Sequence, residues 1–469
     1  MSILFRNSPL FLFFLAMVSA LSGCKVDPVT TTPLSFTDSS ASYHFDADVG
    51  AVQSETFTLK NSGTVDVTGV GVSVAGPFTL ANNLCSSVPA AGTCTFSVTY
   101  SPVTQGQTDS GSLAVRYTPS SGAPVSLQKS LTGSSYHYFV FSANRGDSTV
   151  SGFTIDFTTG ILKSTGAAKS TATGPFQLGL DPLGQFIFVT AADTNLVSVF
   201  RVDSVAGTLT QVAGSPFATG TAPVGVSMEP TGNFLYVANF GSNDVSAFSL
   251  NRNSGFLTPI SGSPFVASTG DNPLDLSMDP MGKFLYLSSR SGQEFAFTID
   301  PTAGSLALVA GTPFQTGSSW NWGSAIDGSG KFLFTGCSTA GEVSAMGIDT
   351  SGNLSQISGS PFATGGTGAF GIGITTSGNF VYVANGATNT ISAFSQSEGS
   401  LTKIQDIAAG ASQFYLTVDS SDHFVIVTNR TTNNISVYGI GDSGLLTHLS
   451  DAATGSMPIS VKVLRVPTP

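Results

Sequence analysis

The strongest constraint on what this chain can fold into is its own repetition. Aromatic-led segments start at Tyr138, Phe186, Phe234, Phe284, Phe332, Phe380 and Phe424, a spacing of about 48 residues that belongs to repeat architectures. Most follow a turn running from an acid to a glycine, as in Asp181-Pro182-Leu183-Gly184, Glu229-Pro230-Thr231-Gly232, Asp279-Pro280-Met281-Gly282 and Asp327-Gly328-Ser329-Gly330. Such residues suit tight turns. A second strand comes next, as in Asn243-Asp244-Val245-Ser246-Ala247-Phe248, and a third precedes Gly-Ser/Thr-Pro-Phe at 214–217, 262–265, 311–314 and 359–362. With the strand leading into each acidic turn, a unit holds four strands, the content of a propeller blade. Seven units fill residues 136–466.

The first unit begins at the second strand of a blade, and the chain ends on a lone inner-type strand, Pro458 to Leu464. Three N-terminal strands and one C-terminal strand are therefore expected to share a blade, which removes open sheet edges. Along the inner strands, Phe176, Val224, Leu274, Trp322, Phe370, Phe414 and Ile459 align, as do Leu178, Val226, Leu276, Ser324, Ile372, Leu416 and Val461, and both rows are expected to pack between blades. Residues of opposite parity are mostly small (Gly179, Gly225, Ser277, Gly371), as crowding near an axis requires.

Composition agrees with an all-β chain that has a real core. Hydrophobic residues make up 41% and charged residues only 10%, against a usual ~25% charged. With a net charge of −11 and 17 Lys+Arg, a phosphate-tracking surface is hard to assemble, so nucleic acid is excluded as a partner. No Cys/His cluster has metal-ligand spacing and no Asp-rich loop completes a calcium pattern. Neither a metal nor another cofactor is expected. Gly366-Thr367-Gly368-Ala369-Phe370-Gly371 matches a dinucleotide fingerprint but precedes a strand rather than a helix, so it reads as a blade turn.

The N-terminus reads as an address. Arg6 precedes the apolar run from Leu10 to Val18, too short to span a bilayer. It ends in Leu21-Ser22-Gly23-Cys24, which resembles the lipobox of bacterial lipoproteins. That resemblance implies a signal peptide over 1–23, a lipid on Cys24 and a membrane as partner. Lys25 in place of Asp leans towards the outer membrane. Residues 24–33 are Pro- and Thr-rich and read as a tether.

Residues 34–133 show period-two alternation in Glu55 to Lys60, Val67 to Val74, Thr95 to Tyr100 and Gly111 to Tyr117. About seven short strands in about 100 residues fit an immunoglobulin-like sandwich. Cys85 and Cys94 flank the turn-forming Pro89-Ala90-Ala91-Gly92, and an oxidised pair is expected there. Cys337, in a strand-like stretch, reads as an inert buried thiol. The order Leu59-Lys60-Asn61-Ser62-Gly63-Thr64, Cys85, Ala91-Gly92-Thr93-Cys94, Tyr100-Ser101-Pro102 resembles choice-of-anchor D and ASPM/SPD-2/Hydin-like modules, which implies an adhesive or spacing unit without chemistry.

The repeats around Phe234-Leu235-Tyr236-Val237-Ala238-Asn239 and Pro273 to Gly282 look like the lactonase family of seven-bladed propellers, the 6-phosphogluconolactonase-like group. In active members, the resemblance implies, a His follows the Pro opening an inner strand, with Arg and Glu near the channel. Here those positions hold Phe176, Val224, Leu274 and Ile459. The four histidines, His44, His137, His423 and His448, fall in the sandwich, the junction, a turn and an outer strand. Lactone opening needs a base and oxyanion donors, so hydrocarbon at these positions argues against catalysis. Gln177, Asp275, Trp320, Trp322, Tyr415 and Lys462 are the candidate ligand-binding residues of the channel mouth, suited to a sugar or peptide. The reading is an exported, lipid-anchored envelope protein: an Ig-like sandwich followed by a seven-bladed β-propeller that binds or scaffolds a glycan or envelope protein. The alternative is a lactonase-type hydrolase that opens a sugar lactone in the channel, with a carboxylate as base.

Overall fold

The computed structural model describes residues 33–468 apart from 121, 268 and 269. The export signal, Cys24 and nearly all of the tether lie outside the described residues. Among the described residues there are strands and turns but no helix.

Seven sheets, each built from an antiparallel four-strand meander, form the propeller. A representative blade runs Pro223–Met228, Phe234–Asn239, Asp244–Leu250 and Leu257–Pro259 from inside outward. In the first blade the inner strand is the chain's last, Pro458–Val466, paired antiparallel with His137–Asn144. Numbered from there, blade 2 opens at Pro175, blade 3 at Pro223, blade 4 at Pro273, blade 5 at Asn321, blade 6 at Ala369 and blade 7 at Gln413.

The recurring polar residues turn out to be ties. Asn239 Nδ2, at the end of a second strand, donates to Asp244 Oδ1 (2.6 Å) and Ser246 Oγ (2.9 Å) on the next. Asn144, Asn385 and Asn429 repeat this in other blades. The acid of each turn accepts backbone N–H groups: Asp181 takes those of Leu183 and Gln185 and is gripped by both terminal nitrogens of Arg252 from the next blade (2.7 and 2.8 Å). Tyr236, Tyr286 and Tyr382 donate their hydroxyls to the carbonyls of Gly304, Gly352 and Gly444, each one blade further on.

The third strand departs from the sequence reading. In blades 1 to 5 the outer edge is split, as in Leu209–Gln211 and Phe217–Ala218, which both pair with Leu196–Val202. In blades 2 to 5 the Gly-Ser/Thr-Pro-Phe motif lies at the break, with its glycine at positive φ.

Residues 34–133 form two further four-stranded sheets, in the order Leu34–Phe36, Gln53–Asn61, Thr93–Tyr100, Phe78–Ala81 and Ser42–Ala47, Val125–Ser135, Thr108–Tyr117, Gly71–Ala75. They enclose a core that includes Phe45, Phe57, Phe96, Leu113 and Leu131. Cys85 and Cys94 form a disulfide. The stretch Val67 to Val74, read as one strand, is two: Val67–Thr68 pairs with Ser87–Val88, while Gly71–Ala75 joins the second sheet. Gly69 between them has φ +65°, which lets the chain leave the pleat. Asp48 anchors these sheets to the propeller. It accepts bonds from Arg465 Nε and Nη2 (3.0 and 3.2 Å) and from the Tyr138 hydroxyl.

Candidate functional site

Most inner strands begin with a register shift against their neighbour, as between Pro175 and Leu178, Pro223 and Val226, Asn321 and Ser324, and Gln413 and Leu416. A bulge leaves an unpaired residue and re-aims side chains. Simple alternation therefore fails at these positions, and two consecutive residues turn inward.

The first of the two builds a collar. Phe176 of blade 2 stacks on Trp322 of blade 5, across the ring, at 6.1 Å and 13°. Phe370 and Phe414 complete the cluster, at 5.9 and 5.0 Å from Trp322. The expectation that Phe176, Trp322, Phe370 and Phe414 wedge between blades is thus corrected: they meet one another over the axis. The second aligned row does wedge between blades as expected: Leu178, Val226, Ile372 and Leu416 are all buried in inter-blade clusters.

The second residue furnishes the hub behind the collar. Gln177 Nε2 donates to Asp275 Oδ1 (2.7 Å) and to the Tyr415 hydroxyl oxygen (2.5 Å), while its Oε1 accepts from Val226 N (2.6 Å). Asp275, 2% exposed, also accepts from the N–H groups of Leu276 (2.9 Å) and Ser324 (2.8 Å). Lys462 extends its Nζ to 5.1 Å from the centre of the Tyr415 ring and has no hydrogen-bond acceptor among the described residues. Six of the seven blades contribute to this network. Blade 6 contributes space instead: a Cβ at Gly371 would lie 2.5 Å from Leu416 N.

Gln177 and Tyr415 partition the tunnel. On the collar side, with Trp322, they line a recess with room for about one water. On the other side, with Lys462, Ser324, Ser227, Leu180 and Met228, they line a cavity of about 200 Å³. This is below the ~300–1,000 Å³ usual for drug-sized ligands, so it suits a single small ring.

Burial dominates the electrostatics. It lowers the Lys462 ammonium below its usual 10.5, against the opposing charge of Asp275. Burial and then Asp275 hold the Tyr415 hydroxyl well above 10, so it stays protonated. Its oxygen already accepts from Gln177, which leaves its O–H hydrogen for another acceptor. Asp275 is pushed up by burial, opposed first by the Gln177 hydrogen bond.

Of the sequence-selected residues, Gln177, Asp275, Tyr415 and Lys462 come together, and Trp322 roofs them. Trp320 does not join. Its backbone is in the left-handed region, at φ +60°, and its ring lies under the Arg290 guanidinium at 4.1 Å. Ser324 was not selected. Glu294, fully buried in blade 4, was also missed. It accepts from Ser288 Oγ (3.0 Å) and Thr335 Oγ1 (2.9 Å). Its signal was readable: at the place where other blades carry Val150, Val197, Val245, Val343, Ile391 or Ile435, paired to the same point of the second strand, this blade carries an acid. Burial, the largest cause, raises its pKa from 4.5 to about 8. The folded chain therefore holds a proton that the unfolded chain releases above 4.5, and stability falls as pH rises through that window. We expect Glu294→Gln to abolish this slope, measured as the urea midpoint between about pH 5 and pH 9.

Among the described residues, no group of three or more His, Cys, Asp or Glu is arranged to hold a metal ion. The histidines bond locally, His44 to Asp46 and Thr132, His423 to Ser421, His448 to Asp451, while His137 stacks on Phe139.

The family model described as "Lactonase, 7-bladed beta-propeller" matches residues 130–224, 214–322 and 324–463. No curated protein matches the chain. Similar solved structures include a candidate 6-phosphogluconolactonase from Bacteroides uniformis ATCC 8492 (19% identity, 70% of this chain and 99% of that one, TM-score 0.62). Another is its counterpart from Bacteroides fragilis NCTC 9343 (21%, 70% and 98%, 0.61). A third is the periplasmic gluconolactonase of Pseudomonas aeruginosa (20%, 71% and 99%, 0.61). At these identities the likeness is one of fold. The comparisons overturn the preference for a binding or scaffolding module serving a carbohydrate or protein: the matching family is one of lactonases, and these solved structures bear gluconolactonase names.

Proposed function

Because the chain belongs to the lactonase family of seven-bladed β-propellers, we propose that it is a lactonase-type hydrolase that opens a small sugar lactone in the tunnel cavity. The observation that carries this reading is Lys462, an amine with a lowered pKa, facing a cavity beside a protonated phenol. A lactone opens when water adds to its carbonyl carbon and the ring C–O bond breaks. Lys462, as the free amine, takes the proton from that water. The Tyr415 O–H donates to the carbonyl oxygen as it becomes an oxyanion. The protonated Lys462 returns its proton to the departing ring oxygen, and an open hydroxy acid leaves. Asp275 touches neither water nor lactone in this scheme. Its charge faces the ammonium, and its bond to Gln177 fixes the partition that positions Tyr415.

The test is hydrolysis of glucono-δ-lactone by the full chain, followed as acid release above the spontaneous rate. The amine must be neutral to act, so kcat/KM is expected to rise with pH through a midpoint below 10.5, the unburied value. Absence of turnover above background would overturn the proposal.

The remaining parts of the reading concern placement. The lipobox-like Leu21 to Cys24 supports export with a lipid on Cys24, and Lys25 supports the outer membrane. The Pseudomonas neighbour is itself described as periplasmic. The two-sheet N-terminal unit is, in this proposal, an Ig-like module of the choice-of-anchor D type, over 34–133, that spaces the propeller of 136–466 from the membrane.

A further inference from the structure

On the collar's outer side two guanidiniums sit over neighbouring rings. Arg145 Cζ is 5.7 Å from the centre of Phe176, Arg430 Cζ is 4.9 Å from that of Phe414, and the two rings are 6.0 Å apart, edge to face. Met457 joins them: its carbonyl accepts from Arg145 N (2.9 Å), and its sulfur lies 4.0 Å from Arg430 Nη2. Arg145 is partly neutralised, since its Nη2 donates to Asp193 (2.6 Å) and its Nη1 reaches the Gly174 carbonyl (3.4 Å). Arg430 is not. Among the described residues no carboxylate pairs with it, the Met457 sulfur is the one acceptor its guanidinium reaches, and its Nε is buried without a partner. Both residues hold the same place, directly after the second strand of blades 1 and 7.

We propose that Arg145 and Arg430 form a binding site for an oxyanion, a phosphate or carboxylate group, on the aromatic collar outside the tunnel. A half-buried guanidinium has five donors in a planar fork that matches such a group. Leaving these donors unmet costs free energy, as does the neighbouring like charge. An anion seated between the two forks relieves both, and the Phe176 and Phe414 rings offer apolar faces to whatever carries it. Burial and then the Arg145 charge lower the pKa of Arg430, in keeping with a cation short of partners. The site stands apart from the cavity of Lys462, with the collar between, and does not rest on the proposed hydrolysis.

The test is calorimetric titration of the full chain at low ionic strength with inorganic phosphate and, separately, with acetate. Saturable binding is expected for at least one, weakened about tenfold or more in Arg430→Gln and in Arg145→Gln. It should be unchanged in Lys462→Met. Binding of phosphate alone identifies phosphate-bearing ligands, and binding of acetate extends the class to carboxylates. Hydrolysis of glucono-δ-lactone should persist in Arg430→Gln, which separates this site from the tunnel. No binding of either anion, binding that survives both arginine substitutions, or binding lost in Lys462→Met would overturn the proposal. If Arg430→Gln does not fold, Arg145→Gln decides.

Discussion

Replacing Lys462 by Met is expected to reduce lactone hydrolysis by about 10²–10⁴-fold, the usual contribution of a positioned acid–base group. Met keeps the length and apolar contact of the lysine stem against Tyr415 and removes only the amine. Lys462→Arg separates base from charge. A guanidinium retains the cation facing Asp275 but does not give up its proton in the working range, so it should be as inactive as Met. If both variants turn over normally, the tunnel is not the reaction site. If Arg is active and Met is not, Lys462 works through its charge, and the assignment of base is wrong.

This lysine shows how far the sequence was legible. Blade count and ring closure were written in the spacing of Tyr138 to Phe424 and in the lone last strand. Both depend on local pattern, which a repeat displays seven times over. The hub residues Gln177, Asp275, Tyr415 and Lys462 were also readable, because period-two parity holds for most of each inner strand. The collar was not. The bulges after Pro175, Pro223, Asn321 and Gln413 put two successive residues on one side, and nothing in a single sequence marks them. Absence of histidine was read correctly as residues and wrongly as function. Hydrocarbon at Phe176 and Leu274 closes one mouth of the tunnel, while the titratable groups sit one residue further on or in the last strand. Arg145 and Arg430 went unnoticed because they occupy turn positions, where an arginine is ordinarily a solvated surface residue.

Asp275 tests whether the hub is also what holds the ring together. Asp275→Ala leaves the Ser324 N–H without its acceptor, deprives Gln177 of one of its two side-chain acceptors, and removes the charge opposite a buried ammonium. Unsatisfied buried groups cost about 1–3 kcal/mol each, so a loss of about 3 kcal/mol is expected in the propeller. Trp320 immediately precedes the first strand of blade 5 and Trp322 lies within it, lining the same recess as Gln177. Tryptophan fluorescence in urea therefore reports the propeller without interference from the N-terminal sheets, which have none. Asp275→Asn keeps the volume and one acceptor, and should lose less. The same substitutions move the chemistry in a defined direction. The charge of Asp275 raises the pKa of Lys462 against burial. Without it the amine deprotonates more readily, and the midpoint of the pH–rate profile in Asp275→Asn should shift to lower pH. An unfolding midpoint unchanged in Asp275→Ala would show that the hub bonds do not clamp the blades. A profile that stays in place while stability falls would show that Asp275 supports the ring and does not tune the lysine.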